Sequence, residues 1–320
     1  MNEQELKKLT DEIIEGRRLG PRDQLDFLQY SDRKLLSMYA DRLREHFSGA
    51  HTDLCAIING KSGKCGENCK FCAQSAHHHT SCDVHPLLSA KEILEVAIEH
   101  EREGVNRFAV VTSGRGPSAD DFEKILEIYR TLKEKTGIGL CASLGFLTAE
   151  EFRRLHEAGV TRYHNNLETG RYFFPMICTT HTFDDKVANI RRAQAAGLSV
   201  CSGGIIGMGE TFRDRMDMAL TLEELGIRSI PINVLTPIPG TPLAHLEALS
   251  ADEILRTVAM FRFINPEADI RLAAGRKLLG GGGISAFRGG ASAAITGNML
   301  TTTGMTTRQD REMLKEAGRL

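Results

Sequence analysis

The sequence predicts an α/β fold, a (β/α)8 barrel of the TIM type with an N-terminal helical extension. Two observations predict it. Short apolar runs alternate with capped amphipathic helices along most of the chain, and several helices end at a glycine that an apolar run follows almost at once. This alternation indicates parallel strands joined by helical crossovers, and eight such units close naturally into a barrel. A doubly wound open sheet is the alternative arrangement.

The chain divides into three predicted regions. Residues 1–50 form the helical extension, because apolar residues such as Leu6 and Ile13 recur at helical spacing. Residues 51–300 form the barrel, with no sign of an internal domain boundary. Residues 301–320 form a polar, charged C-terminal tail, which we expect to be partly mobile.

Eight short apolar segments are the predicted strands of the barrel. They span residues 54–58, 105–111, 138–144, 160–167, 198–206, 227–235, 269–274 and 291–296. The intervening helices have clear start signals, since Ser89, Thr148 and Ser250 each precede a glutamate by three residues and form predicted capping boxes.

Composition narrows the functional class. The 320 residues are 41% hydrophobic and carry 40 basic and 42 acidic side chains, a net charge of −2. This balance argues against a nucleic-acid surface, and no apolar run is long enough to cross a membrane. The charged start does not resemble a secretory signal, so we expect a cytoplasmic protein. Its eight cysteines are then expected to be reduced and to serve in metal binding, catalysis or packing.

Three of the cysteines form a tight motif after the first predicted strand. Cys65, Cys69 and Cys72 have the spacing C-x3-C-x2-C. Three thiolates suit a four-iron cluster with one open iron, whereas zinc usually takes four ligands. A zinc site completed by a distant cysteine is the competing interpretation.

The motif resembles that of the radical S-adenosylmethionine (SAM) superfamily. The resemblance implies a [4Fe-4S] cluster whose open iron binds SAM and whose electron produces a 5′-deoxyadenosyl radical. It also implies that Phe71, just before the third cysteine, packs near the adenine of SAM.

Five further motifs resemble the biotin synthase family, in that family's order across about residues 55–300. They occupy residues 163–169, 200–207, 231–235, 239–242 and 271–276. The resemblance implies insertion of sulfur between C6 and C9 of dethiobiotin, with sulfide from an auxiliary iron–sulfur cluster inside the barrel. It also implies a homodimer and a reducing electron donor such as flavodoxin or ferredoxin. The alternatives are a related radical SAM enzyme of the hydrogenase-maturase or methylase type, or a non-catalytic metal-binding scaffold.

The auxiliary cluster requires ligands on the inner face of the barrel. Alternation along the strands allows Cys141, Cys201 and Arg271 to converge there. The resemblance implies that all three ligate the cluster, with Arg271 as an unusual nitrogen ligand. Ordinary core cysteines and a salt bridge from Arg271 to Glu168 or another carboxylate are the competing interpretations.

The sequence departs from the family at Ala109, where the second strand usually supplies a cysteine ligand. Cys55 on the neighbouring first strand is the favoured substitute, followed by Cys82 and then Cys178. The auxiliary cluster is therefore expected to be a [2Fe-2S] type or a four-iron variant, and in the four-iron variant an extra or bridging sulfide would be the sulfur donor.

The resemblance also implies contacts to SAM and to the substrate. The SAM-binding residues are Asn166, Glu168, Thr112, Lys186 and Ile205. The ureido ring of dethiobiotin is expected to contact His164, Asn166 and Asn233. Glu168 replaces a more usual Asp, and His164 departs from the family's amide. An exposed Lys186, an ordinary core Ile205 and a core His164 are the alternatives. The substrate carboxylate is expected near Thr301 or Thr302, without an assigned contact.

Overall fold

The computed structural model describes residues 1–50, 52–300 and 304–320. Three helices precede the barrel: α1 (Glu3–Ile14), α2 (Phe27–Tyr30) and α3 (Arg33–Ser48). Asn2 caps α1 by accepting from the amide of Glu5, whose carboxylate accepts from the amide of Asn2 in return. Leu6 and Ile13 are fully buried, so the predicted apolar face of the extension packs against the rest of the fold.

All strand pairings in the sheet are parallel. The strands are β1 (Asp53–Lys61), β2 (Arg107–Thr112), β3 (Gly139–Ser143), β4 (Arg162–His164), β5 (Ser199–Cys201), β6 (Gly204–Ile206), β7 (Ser229–Val234), β8 (Asp269–Leu272) and β9 (Ala293–Thr296). They pair in the order β5-β4-β3-β2-β1-β9-β8-β7-β6, and a pairing of β5 with β7 closes the ring. The predicted barrel is therefore confirmed, and the open-sheet alternative is wrong.

The predicted strand 198–206 is divided into two short strands, β5 and β6, which together occupy one strand position, or stave, of the barrel. The break falls at Gly203, where an added Cβ would lie 2.0 Å from the carbonyl oxygen of Pro231. The predicted strand 160–167 is also shorter than expected. It ends at His164, and the chain pairs again with the next stave only at Glu168, which has a left-handed φ of 74° and forms an isolated parallel bridge with Gly204.

Nine helices of the described residues follow β1. They are α4 (Ala90–Arg102), α5 (Ala119–Lys135), α6 (Ala149–Glu157), α7 (Phe174–Ile177), α8 (Phe183–Ala195), α9 (Phe212–Glu224), α10 (Ala251–Ile264), α11 (Ile284–Phe287) and α12 (Thr307–Glu316). The capping boxes predicted at Ser89, Thr148 and Ser250 are all present. No helix in the described part of the chain combines the length and apolar character needed to cross a bilayer.

Helix α12 shows that the polar C-terminal tail has a buried face. Leu314 is fully buried and Met313 nearly so. Asp310 is buried as well, and its carboxylate lies 2.7 Å from the guanidinium of Arg276. An apolar contact and a buried ion pair thus hold α12 against the barrel, and the expectation of a partly mobile tail stays a prediction.

Candidate active site

The cysteine loop follows β1. Its start is set by Lys64, which adopts a left-handed φ of 51°. The amide of Cys65 then donates to the carbonyl oxygen of Gln74 at 2.9 Å, and the amide of Cys72 donates to that of Cys69 at 3.0 Å. These bonds fold the segment into a compact loop with three half-buried, unbridged thiols. Three adjacent free thiols fit the [4Fe-4S] cluster that the spacing predicts.

The barrel encloses a cavity of about 350 Å³ at the carboxyl ends of its strands. It brings together predicted site residues that lie far apart in the sequence and come from the cysteine loop and from seven strands or the segments after them. The predicted site residues that line it are Cys55, Phe71, Cys72, Cys141, His164, Asn166, Glu168, Cys201, Ile205, Asn233 and Arg271. Cys72 thus faces the same space as the three cysteines of the barrel interior.

Three buried cysteines, Cys55, Cys141 and Cys201, form a cluster within this cavity. The interaction between the thiols of Cys55 and Cys141 lowers the pKa of Cys141 to about 6 and, together with burial, raises the pKa of Cys55. Ala109 lies beside Cys141 in the sheet register and also lines the cavity. Cys55, Ala109 and Cys141 therefore line the same space.

The other two proposed substitutes lie elsewhere. Among the described residues, neither Cys82 nor Cys178 lines the cavity. Cys178 instead lies beside the cysteine loop, with its Sγ 3.7 Å from that of Cys69. Of the three candidates, Cys55 alone shares a space with Cys141 and Cys201.

Arg271 is 1% exposed and is held by four polar contacts. Its Nη2 donates to Oδ2 of Asp53 at 2.8 Å and to Oγ of Ser229 at 3.5 Å, and its Nη1 donates to the carbonyl oxygens of Asp53 and Ala294. The carboxylate partner is thus Asp53 rather than Glu168. Burial lowers the pKa of Arg271, but the attraction of Asp53 and of the Cys55 and Cys201 thiols outweighs it and raises the pKa.

Asp53 is a site residue that the sequence reasoning missed. Its Oδ2 also accepts from Nη1 of Arg162 at 3.2 Å. Burial raises the pKa of Asp53, but Arg271 and Arg162 outweigh this and hold it below its ordinary value. A signal was available, since Asp53 stands two residues before Cys55 and alternation places both on one face of β1. Arg162 stands likewise two residues before His164 on β4.

The polar residues after β4 are tied to the backbone around them. Oδ1 of Asn166 accepts from the amide of Gly203 at 3.1 Å, and its Nδ2 donates to Oε2 of Glu168 at 3.4 Å. The left-handed conformation of Glu168 costs on the order of 1–3 kcal/mol, a strain that is typical of functional positions. Asn166 and Glu168 therefore project into the cavity from a fixed framework.

His164 and Asn233 face the same cavity. Burial lowers the pKa of His164, but the interaction with the side chain of Cys201 outweighs it and raises the pKa. The amide of Asn233 donates to the carbonyl oxygen of Gly204 at 3.1 Å and accepts from the amide of Ala274 at 3.2 Å. Both side chains are thus oriented by protein contacts.

Two predicted SAM-binding residues lie outside the cavity lining of the described chain. Thr112 ends β2 and is half-buried. Lys186 is 9% exposed, and its Nζ lies 5.4 Å from the ring centroid of Phe146. The alternative of an exposed helix lysine is therefore wrong. Thr301 and Thr302 lie outside the described residues, directly after Leu300, which lines the cavity.

The barrel and its cysteine loop define a class of protein, the radical SAM enzymes. The sequence matches the Radical SAM superfamily over residues 61–222 and the Biotin and Thiamin Synthesis associated domain over residues 231–319. Two solved structures share the fold. Methylornithine synthase superposes with a TM-score of 0.79 at 21% identity, covering 90% of this chain and 85% of that one. The FeFe-hydrogenase maturase from Carboxydothermus hydrogenoformans superposes with a TM-score of 0.81 at 17% identity, covering 98% of this chain and 78% of the maturase.

Full-length relatives define the family within that class. The chain is 53% identical over 313 residues to a biotin synthase of Clostridium beijerinckii, covering 98% of this chain and 99% of the relative. It is 53% identical to the enzyme of Alkaliphilus metalliredigens and 48% identical to that of Acetivibrio thermocellus, in both cases over 98% of this chain, covering 99% and 98% of the relatives. The chain belongs to the biotin synthase family.

Proposed function

We propose that this chain converts dethiobiotin to biotin by inserting sulfur between C6 and C9. Cys65, Cys69 and Cys72 would hold a [4Fe-4S] cluster. Bound there, the cluster and SAM would supply the 5′-deoxyadenosyl radical that removes hydrogen from the substrate. One observation carries the proposal: Cys72 of the loop and the thiols of Cys55, Cys141 and Cys201 face a single cavity.

The cavity suits a reaction of this type. Its volume of about 350 Å³ lies within the range of ordinary ligand sites. Its lining combines apolar side chains, which exclude water, with a few fixed polar groups, which orient a ligand. Phe71 and Ile205 offer apolar faces for adenine, and Glu168 and Asn166 offer polar groups for the ribose. Thr112 and Lys186 would contribute at the methionyl end.

The substrate would bind deeper in the same cavity. Asn233, Asn166 and His164 would meet the ureido ring, because amides and imidazoles both donate and accept hydrogen bonds. The hydrogen bonds from their side chains to the surrounding protein support this role, since a fixed donor or acceptor costs less to order on binding.

The auxiliary cluster would be a four-iron variant held by Cys55, Cys141, Cys201 and Arg271. The contact between the Cys55 and Cys141 thiols supports Cys55 as the replacement for the missing cysteine at Ala109. Asp53 would balance the charge of Arg271 and fix its orientation. The sulfur transferred to the substrate would be an extra sulfide of this cluster.

Further partners follow from the family. We propose a homodimer, a flavodoxin or ferredoxin as electron donor, and a cytoplasmic location. The eight free cysteines support a reducing compartment.

Anaerobic turnover of the reconstituted chain tests the activity. With reductant, SAM and dethiobiotin, we expect biotin and 5′-deoxyadenosine to form together. Formation of 5′-deoxyadenosine without biotin would refute the substrate assignment, and absence of both from protein with a full cluster would refute the radical mechanism.

Iron and sulfide counts test the auxiliary cluster. A four-iron variant predicts about eight iron atoms per chain, against about six for a two-iron cluster. Cys55→Ala should lose the auxiliary share of iron and the biotin activity, whereas Cys82→Ala should keep both. Full iron content and activity in Cys55→Ala would contradict the assignment.

A further inference from the structure

Three metal-binding side chains gather on the side of the cysteine loop that meets helices α7 and α8. Cys69 comes from the loop, Cys178 directly follows α7, and His181 lies just before α8. One ligand atom from each lies within 4.8 Å of those of the other two. Cys178 and His181 are buried, and neither lines the cavity of the barrel within the described residues. We propose that these three residues form a site for a single divalent transition-metal ion of the zinc type.

The spacing of the ligand atoms is that of a tetrahedral ion. With metal–sulfur bonds of about 2.3 Å and metal–nitrogen bonds of about 2.05 Å, tetrahedral geometry separates two sulfurs by about 3.8 Å and sulfur from nitrogen by about 3.6 Å. The Sγ atoms of Cys69 and Cys178 are 3.7 Å apart, and Nδ1 and Nε2 of His181 lie 3.4 Å and 3.8 Å from Sγ of Cys178. Little movement is needed to place one ion among them.

A carboxylate orients the imidazole in the way that metal sites require. Oε2 of Glu67 contacts Nδ1 of His181, which leaves Nε2 as the metal-facing nitrogen. Glu67 is itself held by Oγ1 of Thr180, which donates at 2.6 Å, and by Nη1 of Arg115, which donates at 3.2 Å. The arrangement is a carboxylate–histidine–metal triad with supported outer partners.

The segment that carries Cys178 is bound to the cysteine loop. Oδ1 of Asn68 accepts from the amides of Thr179 and Thr180, and its Nδ2 donates to Oγ1 of Thr179 at 2.6 Å. Asn68 adjoins Cys69, so this contact fixes the distance between the two sulfur ligands.

Sharing Cys69 has a consequence for cluster assembly. A thiolate that ligates a mononuclear ion beside Cys178 is removed from the set of three that the [4Fe-4S] cluster needs. The ion and the cluster therefore exclude each other, and the ion binds only the cluster-free chain. The metal site itself does not depend on the proposed biotin chemistry.

Cobalt(II) absorption of the full-length, cluster-free chain tests the site. Cys65→Ser and Cys72→Ser are introduced first, so that the loop offers Cys69 alone. We expect one ion with the intense visible bands of tetrahedral sulfur and nitrogen ligation. Adding Cys178→Ala should abolish those bands, whereas adding Cys82→Ala should leave them unchanged. Glu67→Gln should weaken cobalt binding by about 10- to 100-fold.

Unchanged cobalt bands in the Cys178→Ala protein would overturn the proposal. If circular dichroism shows that this variant does not fold, the His181→Gln variant is measured instead. Its cobalt spectrum should lose the features of nitrogen ligation, and an unchanged spectrum would refute the site. A second experiment measures iron taken up by the chain after zinc treatment. At a zinc concentration that halves iron uptake by the unaltered chain, the Cys178→Ala protein should retain nearly full iron uptake. Equal inhibition of the two proteins would refute competition for Cys69. No biotin is measured, so these outcomes are separate from those of the activity assay.

Discussion

The carboxylate of Asp53 neutralises charge on the arginines inside the barrel, and replacing Asp53 by asparagine removes the negative charge with little change in side-chain shape. Its Oδ2 accepts from Arg271 at 2.8 Å and from Arg162 at 3.2 Å, and Arg271 is almost fully buried. Each hydrogen bond between charged groups contributes about 1.5–3 kcal/mol. Removing one partner of a buried ion pair costs about 3–5 kcal/mol. We therefore expect Asp53→Asn to lower the free energy of unfolding by about 3–5 kcal/mol.

The corresponding change in Tm follows from chain length. Unfolding entropy of about 2.1 cal/mol/K per residue gives about 0.7 kcal/mol/K for this chain, so Tm should fall by about 4–7 °C. Circular dichroism of the cluster-free protein at neutral pH measures it. The matched control is Glu312→Gln, which breaks the exposed pair with Arg308 and should change Tm by about 1 °C or less. A shift for Asp53→Asn no larger than the control's would refute the reasoning.

Three further outcomes are expected. The folded state holds the pKa of Asp53 below its ordinary 3.8. The difference in unfolding free energy between the unaltered chain and Asp53→Asn should therefore be complete above about pH 4 and shrink as the pH falls further. A difference that grows in acid in the same unfolding assay would contradict the lowered pKa. Gly203→Ala would place a Cβ 2.0 Å from the carbonyl oxygen of Pro231 and should cost at least about 1–3 kcal/mol, measured as a loss of Tm beyond that of Gly20→Ala, whose Cβ would meet its nearest atom only at 4.0 Å. Leu314→Ala should cost about 2–5 kcal/mol by leaving a cavity under α12, whereas Leu320→Ala, at a residue 52% exposed, should not change Tm measurably.

Local signals account for the parts of the fold that could be predicted. The eight staves, the capping boxes and the cysteine loop each depend on residues within a few positions of one another. Strand ends were predicted less well. The stave 198–206 is interrupted between Cys201 and Gly204, where the amide of Gly203 donates to the side chain of Asn166, 37 residues earlier.

The candidate site shows the same division. Alternation along single strands allowed Cys141, Cys201 and Arg271 to converge inside the barrel, and the neighbouring strand and the family resemblance favoured Cys55. Alternation could also have placed Asp53 on the face of Cys55, but not its pairing with Arg271, which lies 218 residues away.

The sequence by itself determined which side chains are available: a three-cysteine loop, inward cysteines on separate strands, and a family whose relatives align along nearly the whole chain. Only the tertiary structure decided which of them meet. Barrel closure and strand register brought Cys55 against Cys141, and helix packing brought Cys178 against Cys69, 109 residues earlier. The physical reason is that periodicity fixes the direction of a side chain on its own element, whereas a contact depends on where a second element is held in space.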